Sequence, residues 1–266
     1  GGWQTVFPGG GFPSKYGEAD LGLHAEANTM PWDSVITEDN VDKVSVKFSV
    51  RTYRTPFYFE KTLTLERNSS VLYVDQVLIN EGEEDIHCVW GEHIALGAPF
   101  LDSSCVIYVP DVNILNHPTK MHENSKLEPG LKTKWPYTKL QDGTKHDLSK
   151  VPGKEFRAYD QSYLEGFDKG WYAITNHHKK VGFGVSYPSD LYKYLWYWQS
   201  LGGGFGYPWY GRTYNIGLEP FTSITNEGLQ TAIDNKTALL MKAGQRVEAS
   251  ITAVAYTSEL PVSKID

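Results

Sequence analysis

The sequence predicts an all-β protein built as a large antiparallel sandwich of two broad sheets. Two observations carry that expectation. Apolar and polar residues alternate with period two along most of the chain, and turn-forming clusters separate the alternating stretches. Sustained amphipathic helical spacing is absent, so neither a bundle nor an alternating α/β fold fits.

The elements follow in order. In "DKVSVKFSVRT" Val44, Val46, Phe48 and Val50 share one face, and "PFYFEKTLTLER" repeats the pattern with Phe57, Phe59, Leu63 and Leu65. "SVLYVDQVLINEGEEDIHCVWGEHIALG" reads as two long strands joined at the turn-like "NEGEED". "GWYAITNHHKKVGFGVSY" reads as a hairpin turning at Asn176–Lys180. A closing pair is expected in "KTALLMKAGQRVEASITAVAYT", with its turn at Ala243, Gly244 and Gln245. Strands of this length suit two large sheets better than an immunoglobulin-sized domain. The stretch from about 113 to 160 is rich in Lys, Pro, His and Gly and lacks periodicity. It is expected to be an irregular insertion walling a cleft, within a single domain spanning residues 1–266.

Composition narrows the function classes. The chain has 266 residues, 40% of them hydrophobic and 21% charged, with ample apolar material for a core. A net charge of -7 argues against nucleic acid and anionic membranes as partners. No apolar run is long enough to span a bilayer. Cys88 and Cys105 lie in strand-like apolar stretches and read as buried reduced thiols, which points to a cytoplasmic setting. Asn68 and Asn235 open matches to the short glycosylation pattern, which arises often by chance. The opening "GGWQTVFPGGG" reads as a loop entered from somewhere, so an N-terminal portion is expected to precede it. Aromatic residues make up 14% of the chain, with 8 Trp and 17 Tyr concentrated toward its end. Most must pack in the core, but such rings beside Gly and Pro also suit stacking on the apolar faces of sugars.

Three stretches set ionisable groups among apolar neighbours: "GLHAEANTMPW", "VWGEHIALGAPF" and "YNIGLEPFTSI". If the first is a strand, His24 and Glu26 share a face, whereas Glu92 and His93 fall on opposite faces. Glu219 is the costliest, a carboxylate between strand-like apolar residues with Pro220 behind it. Pro220 lacks an N–H and is expected to end pairing where a cleft opens. Together these groups allow acid/base chemistry from different strands. No nucleophile elbow, phosphate loop or paired-cysteine motif is present, and "GGGFG" at Gly202–Gly206 has no helix behind it. A metal held by His24, Glu26, His93 and Glu219 uses legitimate ligand types but lacks a tight His-x-His pair. No cofactor is expected. His117, His122 and His146 fall in the polar stretch and read as surface residues.

The chain resembles the aldose 1-epimerase (galactose mutarotase) family and its mutarotase-like relatives. "GGWQTVFPGGG" resembles the family's Gly-Gly-Trp-x-x-x-Phe-Pro loop, and "LHAEANTMPW" its His-Gly-x-x-x-x-x-Pro-Trp segment. "VDQVLINEGEEDIHCVWGEH" and "YNIGLEPFTS" resemble the segments that deliver the catalytic histidine and glutamate. The resemblance implies a mutarotase-like supersandwich and a sugar substrate, with interconversion of anomers by ring opening and closure. It implies His93 as general acid, Glu219 as general base and His24 as a second histidine on the sugar. Trp198, Gln199 and Arg212 fall in the expected substrate-facing segment, and Glu26 stands with His24 as a binding candidate. The family's glycine and following arginine are replaced here by Ala25, Glu26 and Asn28, which leaves Arg212 as the expected replacement cation. A non-catalytic carbohydrate-binding protein on the same fold is the alternative reading.

Overall fold

A computed structural model describes residues 2–258 and 260–265. Two antiparallel sheets face each other, as the alternating pattern predicts. The seven-stranded sheet runs in the order Gly2–Val6, Gly91–Gly97, Tyr214–Phe221, Tyr194–Leu201, Ala158–Glu165, Asn113–Asn116, Lys132–Lys134. The eight-stranded sheet runs Cys105–Tyr108, Gly170–Asn176, Val181–Tyr187, Arg246–Thr257, Val71–Asn80, Phe57–Glu66, Lys43–Arg51, Asp33–Asp39. One short α-helix, Gly228–Asp234, and one 3₁₀ turn, Lys154–Phe156, lie among the described residues, and no helix there is long and apolar enough to cross a membrane.

The core forms where the inward faces meet. Phe57, Phe59 and Leu78 from the larger sheet pack in one cluster with Leu195, Tyr197, Ile216 and Leu218 from the smaller. Edge-to-face aromatic contacts run from Phe7 to Phe57 at 4.9 Å, Phe59 to Trp90 at 5.2 Å and Trp90 to Tyr192 at 5.4 Å. A second cluster sits under the helix, where Leu229 and Ala232 join Trp196 and Phe221. The helix therefore covers part of the smaller sheet's outward face and leaves the rest for a cleft.

Several local expectations change. The segment around "NEGEED" does not join neighbours: Val71–Asn80 lies in the larger sheet, and Gly91–Gly97 in the smaller. Leu239–Met241 pairs with Ile86–Cys88 in a small sheet of its own rather than with Arg246–Thr257, which pairs with Val71–Asn80 in the larger sheet. Residues 113–160 carry Asn113–Asn116 and Lys132–Lys134, which extend the smaller sheet, and a small hairpin of Tyr137–Lys139 with Lys145–Asp147. His117 is buried, bonded through its ring rather than solvated.

One polar contact ties the sheets together. Glu92, fully buried, accepts from Trp3 Nε1, from the Thr5 hydroxyl at 3.3 Å and from Lys61 Nζ at 2.7 Å. Trp3, Thr5 and Glu92 belong to the smaller sheet and Lys61 to the larger. Such a pair gives little net stability against apolar residues of the same shape, but losing one partner leaves a buried charge alone. Lys61→Met should therefore cost about 3–5 kcal/mol in urea denaturation, and adding Glu92→Leu should recover most of it. A single-variant cost below about 1 kcal/mol would contradict this role for the pair.

Candidate active site

Register builds the site before any side chain is considered. Gln4 lies opposite His93, Gly217 opposite Ala95, and Phe221 opposite Gly91, which sets Glu219 across from His93. On the next ladder Trp196 faces Glu219 and Trp198 faces Gly217, and beyond it Gln161 faces Trp198. Alternation raises all of these side chains on the outward face of the smaller sheet. It turns Glu92 inward and His93 outward, as expected. Pairing with Gly91–Gly97 skips residues 218–220, so Pro220 interrupts that ladder, while the ladder to Tyr194–Leu201 continues through Phe221.

The outward face opens into an inner chamber of about 120 Å³, lined by His24, His93, Glu219 and the rings of Tyr159, Trp198 and Trp209. A wider chamber of about 520 Å³ adjoins it and shares His24, His93, Trp198 and Trp209. The His93 ring lies 5.3 Å from that of His24 and 5.7 Å from that of Trp198. Gln4 donates its amide N–H to His24 Nδ1 at 3.2 Å, which holds that ring in place.

Glu219 is the centre of the arrangement. Its Oε1 lies 3.5 Å from His93 Nε2, and it has no hydrogen-bond partner although the residue is 2% exposed. The carboxylate folds over Gly217, where an added Cβ would stand 2.0 Å from Oε1. Burial raises the Glu219 pKa well above the ordinary carboxylate range. His93 is pushed the other way, down to about 3, by burial and by the neighbouring His24. His24 is lowered too, by its own burial. His93 is thus a neutral imidazole near pH 7 rather than a group titrating there, because the cleft desolvates its cation.

Three binding candidates fall outside the cleft. His24 and Ala25 adopt left-handed backbone, with φ of 60° and 64°, so the stretch is a loop and its side chains do not alternate as in a strand. Glu26 consequently turns away: it accepts from the backbone N–H groups of Tyr53 at 3.2 Å and Arg54 at 2.9 Å and from the Thr55 hydroxyl. Gln199 follows Trp198 on its strand and so points into the sandwich, where it is 1% exposed. Arg212 is exposed on the Gly202–Thr213 loop and lines neither chamber. That loop contributes Trp209 instead, whose ring lies 5.2 Å from Trp198 and 6.2 Å from Tyr159. Glu26 thus stands apart from His24, His93 and Glu219, and no group of three or more His, Cys, Asp or Glu that could hold a metal ion occurs among the described residues. Tyr159, Gln161 and Asn226 also line the inner chamber, and sequence reasoning missed them.

A family model described as a domain of unknown function, DUF4432, matches residues 7–254, and the chain belongs to that family. Comparison with curated protein sequences finds no match. Among solved structures, a Klebsiella pneumoniae protein provisionally assigned as an aldose 1-epimerase is similar with a TM-score of 0.69 at 12% identity. That match covers 97% of this chain and 63% of the other, so the chain spans less than two thirds of that protein's length. A galactose mutarotase related enzyme from Lactobacillus acidophilus matches at 0.62 and 14% identity, covering 96% of this chain and 83% of the other. A galactose mutarotase-like protein from Clostridium acetobutylicum matches at 0.61 and 16%, covering 96% and 79%. The fold is the mutarotase-like β-sandwich.

The state of Glu219 is open to a stability test that needs no substrate. Its folded pKa is raised, so its contribution is fully present below the unfolded value near 4.5 and is lost as pH rises through the folded value. Wild type should therefore lose stability relative to Glu219→Gln as pH rises above about 4.5, and the difference should level off once Glu219 ionises. Parallel stability profiles for the two proteins would show that Glu219 is not held protonated.

Proposed function

We propose that this chain is an aldose 1-epimerase-like isomerase that interconverts the anomers of a sugar, with His93 and Glu219 as its proton-transfer pair. The observation that carries the reading is the pair itself: a buried carboxyl whose Oε1 has no hydrogen-bond partner, 3.5 Å from a neutral imidazole, at the floor of an aromatic-walled cleft. A buried polar atom without a partner costs on the order of 1–3 kcal/mol, a cost that a sugar oxygen would relieve.

Ring opening needs a base for the proton of the anomeric hydroxyl and an acid for the ring oxygen. As the hydroxyl proton leaves, the C1–ring oxygen bond breaks, C1 becomes an aldehyde carbon, and the ring oxygen is protonated. Rotation about C1–C2 and closure with both proton transfers reversed give the other anomer. Burial favours the neutral form of both groups, raising the Glu219 pKa and lowering that of His93, so the one titrating proton they share belongs on Glu219. Glu219 is then the first donor and His93 the first acceptor, the reverse of the roles that the family resemblance implies. Each group acts in the opposite sense during closure, so the proton inventory is restored. Trp198 and Trp209 offer apolar faces to the sugar's C–H surfaces, and His24 offers a further polar contact.

A carbohydrate-binding protein without turnover would use the same aromatic walls, but it has no need of a desolvated carboxyl facing an imidazole. Polarimetry of freshly dissolved α-D-glucose, α-D-galactose and other single anomers separates the two. Wild type should accelerate mutarotation of at least one sugar. Glu219→Gln should lose roughly 100-fold or more in kcat while binding changes only several-fold. Unaltered turnover in that variant would remove Glu219 from the chemistry.

The pH dependence carries the sign of the same assignment. Full activity requires one titrating proton on the pair, so kcat/KM should hold from just above the His93 value near 3 and fall only where Glu219, its pKa raised by burial, ionises. A protein-dependent acid limb near pH 6.5 would mean that His93 titrates at its ordinary value, and it would contradict the account.

A further inference from the structure

We infer that Asn226 is a specificity-determining residue of the cleft, presenting its amide N–H donors to a sugar oxygen beside Glu219. The inference rests on the reading of the cleft as a sugar site. Asn226 lines the inner chamber with Glu219 and is 8% exposed. Its orientation follows from the donors around it. The Asn226 backbone N–H donates to the Tyr163 hydroxyl oxygen at 3.1 Å, so that oxygen is already an acceptor. The hydroxyl's own proton must go elsewhere, and Asn226 Oδ1 receives it at 3.1 Å. With the amide turned over, Nδ2 would face a hydroxyl already receiving one N–H, and the hydroxyl proton would lose its acceptor.

His117 packs on the same side-chain oxygen, its Nε2 3.0 Å from Asn226 Oδ1. Its Nδ1 meets both the Thr119 carbonyl at 2.9 Å and the Thr119 N–H at 3.2 Å, so the orientation of Asn226 is set by Tyr163. With the side-chain oxygen of Asn226 accepting from Tyr163 on the protein side, the NH₂ edge is what remains for the chamber. The backbone is fixed as well: its carbonyl accepts from the Phe12 N–H at 2.7 Å, at a Gly11 whose missing Cβ would stand 1.9 Å from that oxygen. A donor held by both backbone and side chain loses little freedom on binding and does not adapt to an oxygen in the wrong place. Glu219, in contrast, can exchange its proton. Asn226 therefore selects which sugar oxygen is held while His93 and Glu219 act at C1.

The test is a binding series by NMR titration with D-glucose, D-galactose and the monodeoxy forms of whichever binds more tightly. In wild type, removing one particular hydroxyl should weaken binding about 10-fold through loss of the contact to Asn226. Asn226→Asp keeps an acceptor for the Tyr163 hydroxyl but loses the fixed donors. In that variant the same deletion should cost less than about 2-fold, with KM raised more than kcat is lowered. A deoxy profile unchanged between wild type and Asn226→Asp would overturn the inference while leaving the sugar site intact. Absence of binding by every sugar in wild type would overturn both. Should Asn226→Asp fail to fold, selectively ¹⁵N-labelled wild type decides. The Asn226 side-chain N–H resonances should shift on saturation with the tighter sugar, and unmoved resonances at saturation would reject the role.

Discussion

The register of the Gly91–Gly97 strand is the constraint on which the rest depends. It is held between Gly2–Val6 and Tyr214–Phe221, and its alternation assigns two adjacent ionisable residues to opposite environments. Glu92 goes inward to Lys61 and fastens one sheet to the other. His93 goes outward and meets Glu219 across the ladder. A slip of one residue would bury the imidazole between the sheets and send the Glu92 carboxylate to the cleft, so the structural ion pair and the candidate chemistry share one register.

The cleft in turn depends on what the sheet withholds. Gly217 leaves the space into which the Glu219 carboxyl folds, and Gly91 leaves room for Phe221, whose ring stacks on Trp196 at 3.7 Å. That stacked pair and the helix beyond it close one end of the outward face, and the Gly202–Thr213 loop brings Trp209 over the other. The result is a carboxyl with no hydrogen-bond partner on Oε1, beside a histidine that cannot readily carry charge. Desolvation drives both groups to their neutral forms, which is a way to keep a donor and an acceptor ready together at one pH.

What the sequence disclosed follows the range of the signal. Period-two alternation is local, so strands such as Phe57–Glu66 and the opposite faces of Glu92 and His93 were legible. Which strand pairs with which is not local. Leu239–Met241 and Arg246–Thr257 look like a hairpin but join different partners in different sheets. The binding candidates separate along the same line. Trp198 lines the chamber because its strand keeps its alternation, and Gln199 beside it points into the sandwich for the same reason. Glu26 was misassigned because two successive left-handed residues, His24 and Ala25, replace the expected strand, and nothing in "LHAEAN" announces positive φ at non-glycine residues. Asn226 depends on Tyr163 and His117, more than sixty and one hundred residues away, a proximity that only the folded chain supplies.

Proton transfer between the pair and a sugar's anomeric centre is the step on which the proposed reaction depends. Two-dimensional exchange NMR on an equilibrated aldose measures that step directly, since protein-catalysed ring opening links the H1 signals of the two anomers. Wild type at micromolar concentration should produce exchange cross-peaks between them, and Glu219→Gln should abolish these while its sugar-induced shifts persist. Cross-peaks of equal intensity in both proteins, or none in wild type with a sugar demonstrably bound, would contradict the proposed reaction.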